Sequence, residues 1–179
     1  MDADQYMKHW ENNKVWTHLQ WPKHQRRFKI CASFLEGENF IDIGCAYGHS
    51  TSWLRIYKGG IWAGLDFSKK AIDRANQLFK NENLKFYYSE NYDLLPVCGQ
   101  FDGVVCSEVI EHVEKDQEFV NGLIAITKKV LVITTPDREV NDPGHLRVYD
   151  KGMLEALFCG QRFKIHRIKP FFYVVVRMD

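Results

Sequence analysis

Glu108, Glu111 and His112 stand at positions i, i+3 and i+4 of the segment Ser107–Val113, SEVIEHV. On one helical turn that spacing puts three side chains on a common face. Two carboxylates and an imidazole gathered there suit Mg²⁺, Mn²⁺ or Zn²⁺. Without a metal, His112 can take a proton from a hydroxyl as a general base. A plainer arrangement has Glu108 touching a cofactor, Glu111 capping backbone and His112 walling a pocket. His145 follows Pro143-Gly144 on a later loop and is a second candidate base; its plainer reading is an ordinary surface histidine.

The second constellation is Asn39–Thr51, NFIDIGCAYGHST. An apolar run ends at Asp42-Ile43, and Gly44-Cys45-Ala46-Tyr47-Gly48 follows. Glycine permits a tight turn and a close approach to the backbone. A helix starting near His49 would aim its first N–H groups at a ligand. Asp66 ends the next apolar run, 22 residues after Gly44. An acid about 20 residues past such a glycine is where a ribose diol is held, since a carboxylate accepts from both hydroxyls. A nicotinamide dinucleotide would need glycine where Ala46 stands, so that the backbone can meet a pyrophosphate. Asp42, just before the turn, would repel a diphosphate and attract a cation. A nucleoside that carries ribose, no phosphate and a positive charge is S-adenosyl-L-methionine.

These residues need a sheet to bring them together. Seven apolar runs fit strands: Phe40–Ile43, Ile61–Leu65, Leu84–Tyr88, Phe101–Cys106, Val130–Thr134, Phe163–Ile168 and Phe171–Arg177. Between them apolar residues recur at helical spacing. Phe28, Cys31, Ala32 and Leu35 share one face, with Pro22 near that helix's start. So do Ala71, Ile72, Ala75, Leu78 and Phe79, then Phe119, Val120, Leu123 and Ile124, then Met153, Leu154, Leu157 and Phe158. Ser68, Asp116 and Asp150 stand where N-caps belong. Alternating strands and helices predict an α/β, Rossmann-like three-layer sandwich with a mostly parallel sheet and helices on both faces. Only Lys169-Pro170 joins the last two runs, so the last strand must be antiparallel.

The chain of 179 residues fits a single domain. Residues 37–179 would form the cofactor-binding core. Residues 1–36 would form a helical segment that closes over it, with Tyr6, Trp10, Trp16 and Trp21 interleaved with Lys8, His9 and His18. Twenty-four basic against 23 acidic residues leave no nucleic-acid footprint. Arg26-Arg27 and the Arg162–Lys169 cluster could hold a phosphate or carboxylate, though such runs are more often solvated. No apolar run is long enough to cross a bilayer. Five cysteines without a C-x-x-C pair read as reduced thiols, which predicts a cytoplasmic protein.

FIDIGCAYGHST resembles the first motif of the class I S-adenosylmethionine-dependent methyltransferases, and GLDFS the second. LKFYYSENYDLLP is similar to their third-strand segment and FDGVVCSEVIEHV to their fourth. The resemblance runs from about Asn39 to Tyr149 and implies a seven-stranded sheet with an antiparallel last strand. It implies that Asp42, Gly44, Cys45, Ala46 and Gly48 line the methionine end, with Ser107 beside them. Asp66 would take the ribose, and Phe67, Glu90 and Asn91 the adenine. Ser89 stands where the family usually has glycine. Thr127-Lys128-Lys129 stand where a Pro-Gly-Gly turn is common.

The Glu-x-x-Glu-His piece resembles that of the small-RNA 3′-end ribose methyltransferases and the ubiquinone-pathway O-methyltransferases. In the RNA enzymes a later histidine completes the site. Here Val148 and Lys151 stand at its positions, and His145 is the one nearby. The expected activity is therefore O-methylation of a small-molecule or sugar-like hydroxyl. An RNA ribose 2′-O-methyltransferase and a non-catalytic binder of the cofactor are the alternatives.

Overall fold

A computed structural model of the chain describes residues 22–90 and 99–178. Its strands are β1 (Asn39–Ile43), β2 (Ile61–Asp66), β3 (Leu84–Tyr88), β4 (Phe101–Ser107), β5 (Thr127–Pro136), β6 (Phe163–Ile168) and β7 (Phe171–Arg177). Its helices are α1 (Pro22–Phe34), α2 (His49–Lys58), α3 (Lys69–Phe79), α4 (Asp116–Ala125) and α5 (Lys151–Leu157), with a single 3₁₀ turn at Ile110–His112. The seven strands form one sheet in the order β3-β2-β1-β4-β5-β7-β6.

Neighbours from β3 through β5 pair in parallel. β7 slots between β5 and β6 and is antiparallel to both. The short Lys169-Pro170 link forces that reversal, as expected, because a parallel return needs a crossover. Strand order reverses between β1 and β4, whose Asp42 and Val105 are in register. The loops after those two strands therefore flank the crevice where ligands of open α/β sheets bind.

Each face of the sheet is covered, giving three layers. α1, α2 and α3 bury Phe28, Cys31, Leu54, Ile72 and Ala75 against one face. α4 and α5 bury Phe119, Val120, Leu123, Leu154 and Leu157 against the other. Ser68 caps α3 by accepting from the Ala71 N–H at 3.3 Å, and Asp150 caps α5 by accepting from Met153 at 2.8 Å.

Three local expectations fail. Leu78 is 44% exposed: α3 packs against β3, the edge strand, and no described residue covers its outer flank. Met153 is 41% exposed: it lies about 100° round the helix from Leu154, which takes the core position. Asp116 is the first residue of α4 rather than its cap. Its carboxylate is drawn away to the Tyr149 hydroxyl at 2.7 Å and to Arg147. Tyr6, Trp10, Trp16, Trp21, Lys8, His9 and His18 lie outside the described residues, as do Asn91 and Cys98. No helix among the described residues is long and apolar enough to cross a membrane.

Candidate active site

The loop after β1 is built from left-handed backbone. Gly44, Ala46 and Gly48 have φ of +79°, +44° and +80°. A side chain on Gly44 would meet Val109 Cγ2 at 2.3 Å, and one on Gly48 would meet Phe86 at 2.7 Å. The glycines are thus demanded by backbone and by packing before any ligand arrives. Ala46 adopts the same hand with a Cβ, a strained choice for a non-glycine residue.

Two buried carboxylates hold this loop. Asp42 is 1% exposed. Its Oδ2 accepts from Ser50 Oγ and Thr51 Oγ1, both at 2.7 Å, which locks β1 to the first turn of α2. It therefore faces the interior and holds the loop in place. Asp66 ends β2 and is 4% exposed. Its Oδ2 accepts from the Ala46 N–H and its Oδ1 from the Ser68 N–H, each at 2.8 Å. The Phe67 N–H adds a third backbone contact to this carboxylate, which leaves it part of its acceptor capacity for a further donor. Burial pushes both acids up to about 6, against the pull of these hydrogen bonds.

Around them, Cys45 is buried, its thiol donating weakly to Ala46 O at 3.8 Å. Burial, then the Asp66 charge, raises that thiol well above the ordinary range, so it is an inert packing group. Phe67 is half-buried beside Asp66, and Glu90 is exposed just past β3. Ser107 ends β4 and its hydroxyl shares a 2.8 Å hydrogen bond with Thr134.

Beyond β4 the chain bends sharply. Glu108 has φ +57°, and its N–H donates to Thr134 O at 2.8 Å. Non-glycine residues in that region are uncommon, cost of order 1–3 kcal/mol, and cluster at functional sites. The bend also corrects the expected geometry. Glu108 lies outside the single turn Ile110–His112, so Glu108, Glu111 and His112 do not share one helical face. Glu108 instead pairs with Arg27 of α1. Burial pushes its carboxyl up, but Arg27 and then His24 outweigh that and leave it lowered.

Glu111 and His112 converge with His145. Their ligand atoms all lie within 4.8 Å of one another. The imidazoles of His112 and His145 meet edge to face at 4.6 Å. The loop carrying His145 is pinned by Leu146 N–H donating to Glu111 O at 2.8 Å, and Tyr149 donates to Ile110 O at 3.4 Å.

Glu111 is fully buried, yet neither carboxylate oxygen has a hydrogen-bond partner of ordinary geometry. The Thr135 hydroxyl lies beside it, near enough to lower its pKa but without an aligned hydrogen bond. Burial, reinforced by the Glu108 charge, pushes Glu111 up to about 8. At neutral pH it is a buried acid holding its proton, or a ligand awaiting a cation. His112 is lowered by burial, with the Gly144 backbone pulling it upward.

Sequence reasoning proposed His145 as a base on a loop but did not join it to Glu111. The link runs through a backbone contact 35 residues apart in the chain, which no local spacing reports. Arg27 was visible only as half of a basic pair.

A family model described as a methyltransferase domain matches residues 41–130. The mitochondrial ubiquinone biosynthesis O-methyltransferase of Dictyostelium discoideum is 34% identical over 106 residues, covering 52% of this chain and 33% of that protein. The ubiquinone biosynthesis O-methyltransferase of Coxiella burnetii is 30% identical over 96 residues, covering 52% and 41%. The chain thus spans well under half the length of these curated relatives. Among solved structures, the magnesium protoporphyrin IX methyltransferase of Synechocystis PCC 6803, determined with bound SAH, shares the fold with a TM-score of 0.66 at 19% identity. That match covers 86% of this chain and 81% of the other.

Proposed function

This chain belongs to the methyltransferase-domain family, and on that premise we propose that it moves a methyl group from S-adenosyl-L-methionine to a hydroxyl of a small-molecule or sugar-like acceptor. The observation that carries the proposal is the position of Asp66. Its buried carboxylate stands at the tip of β2 beside a left-handed glycine loop, held in place by backbone N–H groups on both oxygens. β1 alone separates β2 from β4, which leads into the Glu111–His112–His145 cluster. Two strand spacings are about 10 Å, a span that the cofactor's ribose, the sulfur bonded to it, the methyl and the acceptor hydroxyl fill together.

The cofactor supplies an electrophilic methyl on a sulfonium whose leaving group departs neutral. The chain therefore has little charge to stabilise on that side; its work is alignment and the exclusion of water. Asp66 orients the ribose. Gly44, Cys45, Ala46 and Gly48 shape the wall at the methionine end, and Asp42 holds that wall in place. Ser107 borders the same end. Phe67 and Glu90, with Asn91 beyond the described residues, border the adenine.

His112, lowered by burial, is neutral near neutral pH and takes the acceptor's proton, with His145 packed against it. General-base assistance of this kind contributes about 10²–10⁴-fold.

The donor set also fits a divalent cation. Neither oxygen of Glu111 has an aligned hydrogen bond, and two imidazoles lie within reach. Glu111, His112 and His145 would hold Mg²⁺, Mn²⁺ or Zn²⁺, and the ion would lower the acceptor hydroxyl's pKa. Glu108, the remaining expected ligand, is engaged by Arg27.

α1 belongs with the N-terminal segment 1–36, which we assign to closing the crevice over the core 37–179. The free thiols Cys31, Cys45, Cys106 and Cys159 suit a reducing compartment, and we propose the cytoplasm. RNA is a second acceptor reading. It is favoured by His145 joining Glu111 and His112, since the resemblance to small-RNA ribose methyltransferases calls for a later histidine.

Calorimetry with S-adenosylhomocysteine and with NAD tests the cofactor. Binding of the first alone supports the proposal, and binding of NAD alone refutes it. Methyl transfer from labelled cofactor to hydroxyl acceptors separates an enzyme from a silent binder. Binding to RNA that falls steeply with salt would favour the second reading.

A further inference from the structure

Glu108 is the only carboxylate of the Glu-x-x-Glu-His piece that already has a cation, and that cation is an amino acid. Arg27 reaches it from α1, with only 3% of its side chain exposed. The guanidinium lies 4.8 Å from the Phe28 ring centroid and 4.6 Å from that of Phe171, so aromatic faces hold it on two sides. Neither Nε nor Nη1 closes an aligned hydrogen bond. The pair is a contact of charges rather than a bidentate clamp.

Such a carboxylate is a poor metal ligand while Arg27 stays. Its charge is already neutralised, and a dication brought beside a fixed guanidinium meets direct repulsion. Arginine cannot escape by losing its proton. We infer that Arg27 is a built-in competitor for Glu108, which keeps this side chain out of the metal site and leaves a three-ligand centre of Glu111, His112 and His145.

Binding strength at this site is then set by a residue of α1, outside the matched family segment 41–130. The exchange makes and breaks no covalent bond: Glu108 would trade a guanidinium for the ion. The inference rests on the metal reading given above, and the test keeps the two apart.

Co²⁺ is the probe, titrated into the chelator-treated full chain by calorimetry and visible absorption. Melting curves and S-adenosylhomocysteine binding report whether each variant is folded. Arg27→Met should tighten Co²⁺ about tenfold or more and change the visible spectrum as a fourth protein ligand joins. Glu108→Gln alone should leave the wild-type affinity unchanged, while in the Arg27→Met background it should erase the gain.

Unchanged or weaker binding by folded Arg27→Met overturns it. So does a Glu108→Gln loss as large as that of Glu111→Gln, because Glu108 would then already be a ligand. If Arg27→Met does not fold, that Glu108→Gln comparison decides alone. Co²⁺ binding that survives Glu111→Gln, or that is missing from wild type and Arg27→Met alike, refutes the metal reading and the inference with it.

Discussion

Asp42, near the end of β1, and Glu111, in the 3₁₀ turn after β4, are buried to the same degree, 1% and 0% exposed. They are treated in opposite ways. Asp42 accepts from two hydroxyls, and its neighbour Asp66 from the backbone N–H groups of Ala46, Phe67 and Ser68. Glu111 accepts from nothing with ordinary geometry and lies near the charge of Glu108. Desolvation alone would raise all three. The donors restrain the aspartates to about 6, while Glu111 rises to about 8. The proposed cofactor end is thus finished by the fold itself, while the proposed acceptor end holds groups that need a proton, a metal or a substrate.

Asp66→Ala should do the most damage at the finished end. It removes the ribose acceptor and unpins Ala46 and Ser68. S-adenosylhomocysteine affinity should fall about 100-fold or more by calorimetry, since each hydrogen bond to a charged group contributes about 1.5–3 kcal/mol. A loss below about threefold would remove Asp66 from the cofactor site.

At the unfinished end, His112→Ala should lower kcat by about 10²–10⁴-fold with S-adenosylhomocysteine affinity intact. A matching loss of cofactor affinity would erase the distinction between the two ends.

A pH series sharpens the contrast further. Glu111 ionises at 4.5 when unfolded and at about 8 when folded. Its neutral form therefore favours the fold fully below pH 4.5, and that contribution is lost as pH rises toward about 8. Glu111→Gln cannot ionise. Denaturation at several pH values should show the stability of wild type declining relative to Glu111→Gln across that window. A constant difference would mean that Glu111 titrates normally.

The smallest effect belongs to Ala46→Gly. Relief of the left-handed strain, worth about 1–2 kcal/mol, is partly offset by about 0.5–1 kcal/mol of added chain entropy. Chemical denaturation should show a gain of about 1 kcal/mol or less. A clear destabilisation would contradict the reading of that loop as strained.

What the sequence displayed best was whatever is decided locally. β3, β6 and β7 lie where their apolar runs begin and end, and Ser68 and Asp150 cap as their positions require. Leu78 and Met153 were misjudged because helical periodicity marks an apolar stripe but not which part of it a neighbour covers. Asp116 looks like a cap, yet Arg147 and Tyr149, more than 30 residues on, claim its carboxylate.

The site divides the same way. Gly44, Ala46, Gly48 and Asp66 were legible through spacing along one strand-loop unit and the strand beside it. The grouping of Glu111 with His145, and of Glu108 with Arg27, depends on a left-handed bend and on long-range packing that no local pattern records.

The most direct test is a crystal structure grown with S-adenosylhomocysteine and Mn²⁺, with data collected at the manganese absorption edge. The account predicts ribose hydroxyls on Asp66, sulfur directed at the tip of β4, and an anomalous peak bounded by Glu111, His112 and His145 with Glu108 still on Arg27. A nucleoside bound elsewhere, or a glycine loop closed against it with Asp66 making no ligand contact, would contradict the account.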